Sequence, residues 1–250
     1  MHYYEKRKRK GVTMYDARKQ MRERNTFGAM LVEHGEADAL VSGLTKDYPK
    51  TILPALQVIG MEKEVNKVAG MYIIIIRDKV YFFADTTVNI DPTAEQLAKI
   101  GRMAAEVAET HGNEPRVAMV SFSNFTGRTG TPRKMVQAAK LLKEMRPDLH
   151  VEGEMQADTA VNSELLTNLF PFADFNGKSA NVLVFPNLEA SNISYKLLQQ
   201  LSDAEVLGPF LMGVGKPTHV LQRTTTVDSI LNSIALTVHE VQTHHNTVHG

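Results

Sequence analysis

Residues Asn89–Phe122, NIDPTAEQLAKIGRMAAEVAETHGNEPRVAMVSF, decide the fold class. Leu97, Ile100, Ala104 and Val107 recur at helical spacing and form one apolar face. Asp91 is placed to cap this helix, Pro92 suits its first turn, and Gly112 closes it as a C-terminal glycine does. RVAMVSF (Arg116–Phe122) then reads as a strand. A helix followed at once by a strand is the repeating half of an α/β domain.

Working outward, the same alternation continues. Before this stretch, MYIIII (Met71–Ile76) and VYFFA (Val80–Ala84) flank Arg77-Asp78-Lys79, the spacing of a hairpin. After it come a Gly/Thr-rich loop, a helix from about Pro132 to Met145, a strand LHVEGE, and a helix around Asp158–Leu166. A strand NVLVFP, a helix Ala190–Leu201 and a strand AEVLGPFLMG follow. Repeats of this kind predict an α/β domain with a largely parallel, buried sheet. The ends differ. Residues 1 to about 60 supply mostly helix plus one strand, ADALVSG, and the last 35 supply a short strand and a helix. Neither end can cover both faces of a sheet alone, so they are expected to pack on each other or on something outside the chain.

At 250 residues the chain can bury a sizeable core. Its 28 basic and 28 acidic side chains cancel, which gives no reason to expect nucleic acid or an anionic membrane as partner. No apolar run reaches the roughly 18 residues of a membrane span. There is no cysteine, which removes disulfides, thiolate metal sites and a cysteine nucleophile, and fits a cytoplasmic protein. The basic run EKRKRKG reads as a solvated helix end. HEVQTHHNTVH holds His245 and His249 four apart but without HExxH spacing or a carboxylate cluster, so no metal site is expected there.

Two stretches could carry chemistry. In VLQRTTTVDSIL (Val220–Leu231), Thr225-x-x-Asp228 has capping-box spacing and Thr226 can also cap a helix Val227–Val241. The free N–H groups of a helix start beside the forked donors of Arg223 would also seat a phosphate or carboxylate. The pattern alone leaves both readings open. SFSNFTGRTGTP (Ser121–Pro132) lies between a strand and a helix, where α/β sheets place ligands, but lacks P-loop and dinucleotide spacings. It reads first as a flexible crossover loop.

Taken in order, YYEKRKRKGVT, FGAMLVEHGEADALVSG, KTILPALQVIG, FADTTVNIDPTAEQLA, PRVAMVSFS, VEGEMQAD, ANVLVFPNLEASNISYKLLQQL and GPFLMGVGKP resemble the phosphate acetyltransferase family. The resemblance implies two α/β/α subdomains with the active site in a cleft between them. The first would comprise residues 1–60 and 208–250, N-terminally truncated by about a quarter of a full family member. The second, dimer-forming subdomain would span 61–207. Active members exchange an acetyl group between coenzyme A and phosphate.

Residue by residue, the family's closing arginine is kept as Arg223, and Arg7 matches another arginine near the active site. The family's serine before the closing arginine is Gln222 here, its aspartate six residues later is Ser229, and the arginine of its T-L-R-P motif is Leu53. These three replacements imply a site with no catalytic residue of the family kept at those positions. Thr224, Thr225, Ser42, Gly43, Met212, Gly213 and Lys216 are further candidates for holding acyl-CoA or phosphate, though strand-end turn chemistry explains several of them equally.

GEADALVSGL, LMGVGKPTHVLQR and VDSILNSIAL are most similar to the phosphotransacetylase-like C-terminal domain of bacterial NADP-dependent malic enzymes. That resemblance implies an acetyl-CoA-binding regulatory domain in a homodimer or higher homo-oligomer. NADP and a divalent metal would belong to the malic-enzyme domain N-terminal to it. The competing expectation is an active phosphate acyltransferase that uses the hydroxyls of Thr224–Thr226 in place of the lost serine.

Overall fold

The computed structural model describes residues 1–62, 65, 67–173, 175, 177–223 and 225–249, the side chains of 244–249 excepted. The chain forms two units, Met1–Val68 with Gly208–Gly250, and Ala69–Leu207. Unit 1 begins with α1 (His2–Arg7), a 3-10 turn at Lys8–Lys10, α2 (Met14–Gln20), α3 (Arg24–His34), β1 (Leu40–Gly43) and α4 (Tyr48–Val58). Unit 2 holds β2 (Ala69–Ile76), β3 (Lys79–Ala84), α5 (Ala94–Thr110), β4 (Arg116–Val120), α6 (Gly130–Met145) and β5 (His150–Met155). It continues through α7 (Ala157–Val161), α8 (Ser163–Leu169), β6 (Val182–Val184) and α9 (Leu188–Leu201). β7 (Glu205–Met212) crosses the second boundary, and β8 (Thr218–Leu221) and α10 (Val227–His249) return to unit 1.

In unit 2 the strand order is β2-β3-β6-β4-β5. β2 and β3 are the expected antiparallel hairpin, and the other pairs are parallel. Its turn is tighter than the sequence spacing suggested. Arg77 and Asp78 both take positive φ, 51° and 60°, as a two-residue hairpin turn requires, and Lys79 already pairs with Ile76. Alternate residues feed opposite faces. Tyr72, Ile74, Phe83, Ala118 and Leu183 pack with Ala160 of α7, Leu166 of α8 and Tyr195 of α9. On the other face α5 comes close. A Cβ on Gly101 would lie 2.8 Å from Leu142 of α6 and 3.1 Å from Met119 of β4.

Three local expectations need correction. Asp91 does not cap α5; Thr93 does, in a capping box with Gln96, while Asp91 pairs with Lys134 at 2.7 Å. Thr93→Ala should therefore lower unfolding stability by about 1 kcal/mol, and Asp91→Ala by less than about 0.5 kcal/mol, as read by urea denaturation. The helix expected around Asp158–Leu166 is broken at Asn162, whose backbone is extended and whose side chain accepts from the N–H groups of Glu164 and Leu165 to start α8. The first unit boundary falls at Val68 rather than residue 60. Met61 bridges to Val214 and the N–H of Glu62 donates to the carbonyl of Gly213, which keeps this segment in unit 1.

The two ends of the chain meet in unit 1 because β1 pairs in parallel with β8, from Leu40↔Thr218 to Gly43↔Leu221. β8 in turn lies antiparallel to β7 at Phe210↔His219. Gly43 has no room for a side chain, since a Cβ there would sit 2.1 Å from the carbonyl oxygen of Leu221.

The loop Ser121–Thr129 is ordered rather than free. Glu154, fully buried on β5, accepts through Oε1 from the N–H groups of Thr126 (2.7 Å) and Gly127 (3.0 Å) and the hydroxyls of Ser123 (3.0 Å) and Thr126 (3.2 Å). A second buried carboxylate, Asp85, does the same for the loop after β3, accepting from the N–H groups of Gly70, Thr87, Val88 and Asn89. Each carboxylate satisfies backbone donors that a turn would otherwise leave unpaired in the interior.

Candidate functional site

Within unit 1 a pocket of about 550 Å³ opens where two helices begin. Glu23, Asn25 and Thr26 line it from the start of α3, and Asp47 and Lys50 from the start of α4. Neither Glu23 nor Asp47, the residues preceding these helices, caps its helix with a side-chain hydrogen bond. First-turn N–H groups and the helix dipoles thus favour an anion here. Lys19, Lys46, Lys50 and Arg223 add four cations against the two carboxylates. A pocket of this size and balance suits a phosphate-bearing or carboxylate ligand.

The charges are already ordered. Arg223 donates to Asp47 at 2.8 Å, Lys50 lies 3.6 Å from the same carboxylate, and Lys46 donates to Glu23 at 2.6 Å. That Lys46 bond and its positive charge hold the Glu23 carboxyl below its ordinary pKa. The Arg223–Asp47 pair is more than half exposed on both sides, and such pairs contribute only about 0–1 kcal/mol. An incoming phosphate can therefore take Arg223 from Asp47 at little cost.

Of the residues singled out in the sequence, Arg223 and Leu53 line this pocket. Leu53 is 51% exposed on its wall. Ser229 is engaged at the start of α10: its N–H donates to the hydroxyl of Thr226, which in turn donates to the Ser229 hydroxyl at 2.9 Å. Thr226, not Thr225, is thus the cap, and Thr225 only closes a turn onto the carbonyl of Gln222. Thr224 lies outside the described residues.

Arg7, Ser42, Gly43, Met212, Gly213 and Lys216 are not among the pocket's lining residues. Ser42 donates to the side chain of Asn25, which does line it, and Lys216 donates to the carbonyl of Val32. The sequence reading passed over Lys19, Lys46 and Lys50. The available signal was the placement of Lys46 between a strand end and a helix start, with Lys50 in the first turn of that helix, the position where α/β sheets gather ligands.

A family model for phosphate acetyl/butaryl transferase matches residues 1–238. The chain belongs to this family. It is 39% identical over 241 residues to a phosphate acetyltransferase of Synechocystis sp., covering 96% of this chain and 34% of that protein. It is 41% identical over 245 residues to an NADP-dependent malic enzyme of Escherichia coli, covering 96% of this chain and 32% of that one. The chain thus spans about a third of the length of these relatives. Among solved structures, a phosphotransacetylase from Streptococcus pyogenes superposes with a TM-score of 0.88 at 35% identity, over 96% of this chain and 73% of its own. The fold is the α/β fold of phosphotransacetylases. Among the described residues no helix is long and apolar enough to cross a membrane, and no three His, Asp or Glu side chains gather as a metal site.

Proposed function

We propose that this member of the phosphate acetyl/butaryl transferase family is an acetyl-CoA-binding regulatory domain of an NADP-dependent malic enzyme. The observation that carries the reading is Leu53, an aliphatic side chain half-exposed on the wall of a pocket otherwise built for anions. In acetyl transfer the coenzyme A thiolate attacks the carbonyl carbon of acetyl phosphate, the new C–S bond forms, and the C–O bond to phosphate breaks. A base must take the thiol proton, and cations must neutralise the leaving phosphate. The resemblance assigns those tasks to the positions of Leu53, Gln222 and Ser229. Leu53 carries no charge, and the Ser229 hydroxyl is held in the cap of α10. The cations that remain, Arg223, Lys46 and Lys50, would still hold an anionic ligand, and binding that is equal before and during reaction adds affinity without rate.

In the parent polypeptide acetyl-CoA would weaken binding of NADP and malate, and by linkage they would weaken acetyl-CoA binding by the same factor. NADP and the divalent metal would sit in the malic-enzyme domain. The assembly would be a cytoplasmic homo-oligomer formed through unit 2.

A second reading, an active phosphate acyltransferase exchanging an acyl group between coenzyme A and phosphate, has its own support. The phosphate acetyltransferase relatives and the phosphotransacetylase folds favour it more directly than they favour the regulatory role. One pair of measurements separates the two. Calorimetry should register acetyl-CoA binding, while thiol release from acetyl phosphate and coenzyme A stays orders of magnitude below the ~10 per second of an ordinary enzyme. Leu53→Arg combined with Ser229→Asp should then raise turnover at least tenfold. Turnover near 10 per second in the unaltered chain would replace the regulatory reading with the transferase.

A further inference from the structure

Unit 2 carries a groove of its own. Its two ends are cavities of about 450 Å³ and 390 Å³, which share Lys79, Tyr81 and Ser163 in their walls. None of its lining residues belongs to the anion pocket of unit 1. It lies where β3, β4 and β6 begin, the edge opposite the strand ends at which α/β sheets gather ligands. Affinity here must therefore come from the side chains. One end is apolar, with Ile74, Ile76 and Phe83 from the hairpin, Val161 of α7 and Leu198 of α9. Asn162, where α7 breaks from α8, forms part of the same wall. The other end is cationic, with Arg116 and Lys178 beyond the shared Lys79. Among the described residues no carboxylate lines either end.

The cations differ in how they are held. Lys178 is tied to Glu114 at 2.9 Å, whereas the Lys79 side chain makes no hydrogen bond or ion pair among the described residues. Arg116, only 14% exposed, donates through Nε to the carbonyl of Ser179 at 2.6 Å and through Nη1 to that of Glu114 at 3.1 Å. Those two bonds aim the guanidinium and leave its Nη2 donors for another acceptor. Tyr81 is half-buried beside it. Burial raises the pKa of the phenol against the pull of Arg116 and Arg77, so at neutral pH the hydroxyl is protonated and can donate. A fixed guanidinium, an unpaired lysine and a phenol donor next to an aliphatic wall match one carboxylate carried on an apolar tail. We propose that this groove is a second ligand site, which takes an amphipathic organic acid. Its carboxylate lies on Lys79, Tyr81 and Arg116, and its tail runs over Ile74, Ile76 and Leu198. The proposal stands whether unit 1 only binds acyl-CoA or also turns it over.

Octanoate is the probe, titrated into the protein by calorimetry with acetate and octanol as controls. One octanoate per chain should bind with a Kd below about 1 mM. Acetate, which lacks the tail, and octanol, which lacks the charge, should bind at least about tenfold more weakly. Lys79→Glu and Tyr81→Phe should each weaken octanoate by about tenfold or more, the scale of a hydrogen bond to a charged group. Tyr81→Phe keeps the ring and removes only the hydroxyl, so it decides the matter if Lys79→Glu fails to fold. Arg223→Ala, in the pocket of unit 1, should leave octanoate affinity unchanged. The proposal is overturned by the absence of saturable binding up to about 10 mM octanoate, by equal affinity for octanol, or by unchanged affinity in folded Tyr81→Phe. Loss of octanoate binding in Arg223→Ala would also overturn it, since the acid would then occupy unit 1.

Discussion

Glu154→Ala should destabilise unit 2 by about 3–5 kcal/mol, the range for removing one partner from a buried, charge-assisted network. The Glu154 side chain has no exposure, and its Oε1 is the acceptor for two backbone N–H groups and two hydroxyls of the loop Ser121–Thr129. Alanine leaves the N–H groups of Thr126 and Gly127 without that acceptor and opens a cavity behind Gly127. Glu154→Gln keeps one carbonyl oxygen for the same donors and should cost less. Urea denaturation of both variants makes the comparison. A loss under about 1 kcal/mol for alanine would mean that the loop holds its shape without the carboxylate.

Arg223→Ala should weaken acetyl-CoA binding by about 1.5–3 kcal/mol, or roughly tenfold to 150-fold, the scale of a hydrogen bond to a charged group. Stability should change by no more than about 1 kcal/mol, because the Arg223–Asp47 pair is solvent-exposed. The companion variant sharpens the test. Asp47→Asn removes the competing carboxylate and should tighten binding of acetyl-CoA or inorganic phosphate. If Arg223→Ala leaves calorimetric affinity unchanged while unfolding shifts, the arginine ties β8 to the start of α4 and does not hold a ligand.

The parts of the fold legible in the sequence are those fixed by near neighbours. The hairpin of β2 and β3, the apolar face of α5 and the alternation through β6, α9 and β7 all follow from periodicity within a few residues. What escaped depends on partners far along the chain. Glu154 looks like any glutamate in a strand, and only the fold brings it to residues 123–127, about 30 positions earlier. The break between α7 and α8 hides in Asn162, whose side chain competes with the helix it interrupts.

The site divides the same way. Arg223 and Leu53 were reached through resemblance to a family, not through any local rule. Lys19, Lys46 and Lys50 carry no local signal of their own, because a lysine's role depends on what stands opposite it. The starts of α3 and α4 share one pocket although they lie more than twenty residues apart in the chain.

Unit 1 is assembled from residues before position 69 and after position 207. On a ribosome adding about 5–20 residues per second, the early portion waits roughly 10–40 s for β8 and α10 to emerge. During that interval unit 2, contiguous in sequence, can complete its own sheet. The opening helices meanwhile sit without the strand that β1 needs, and any chaperone acting on nascent chains of this protein should be found on residues 1–68.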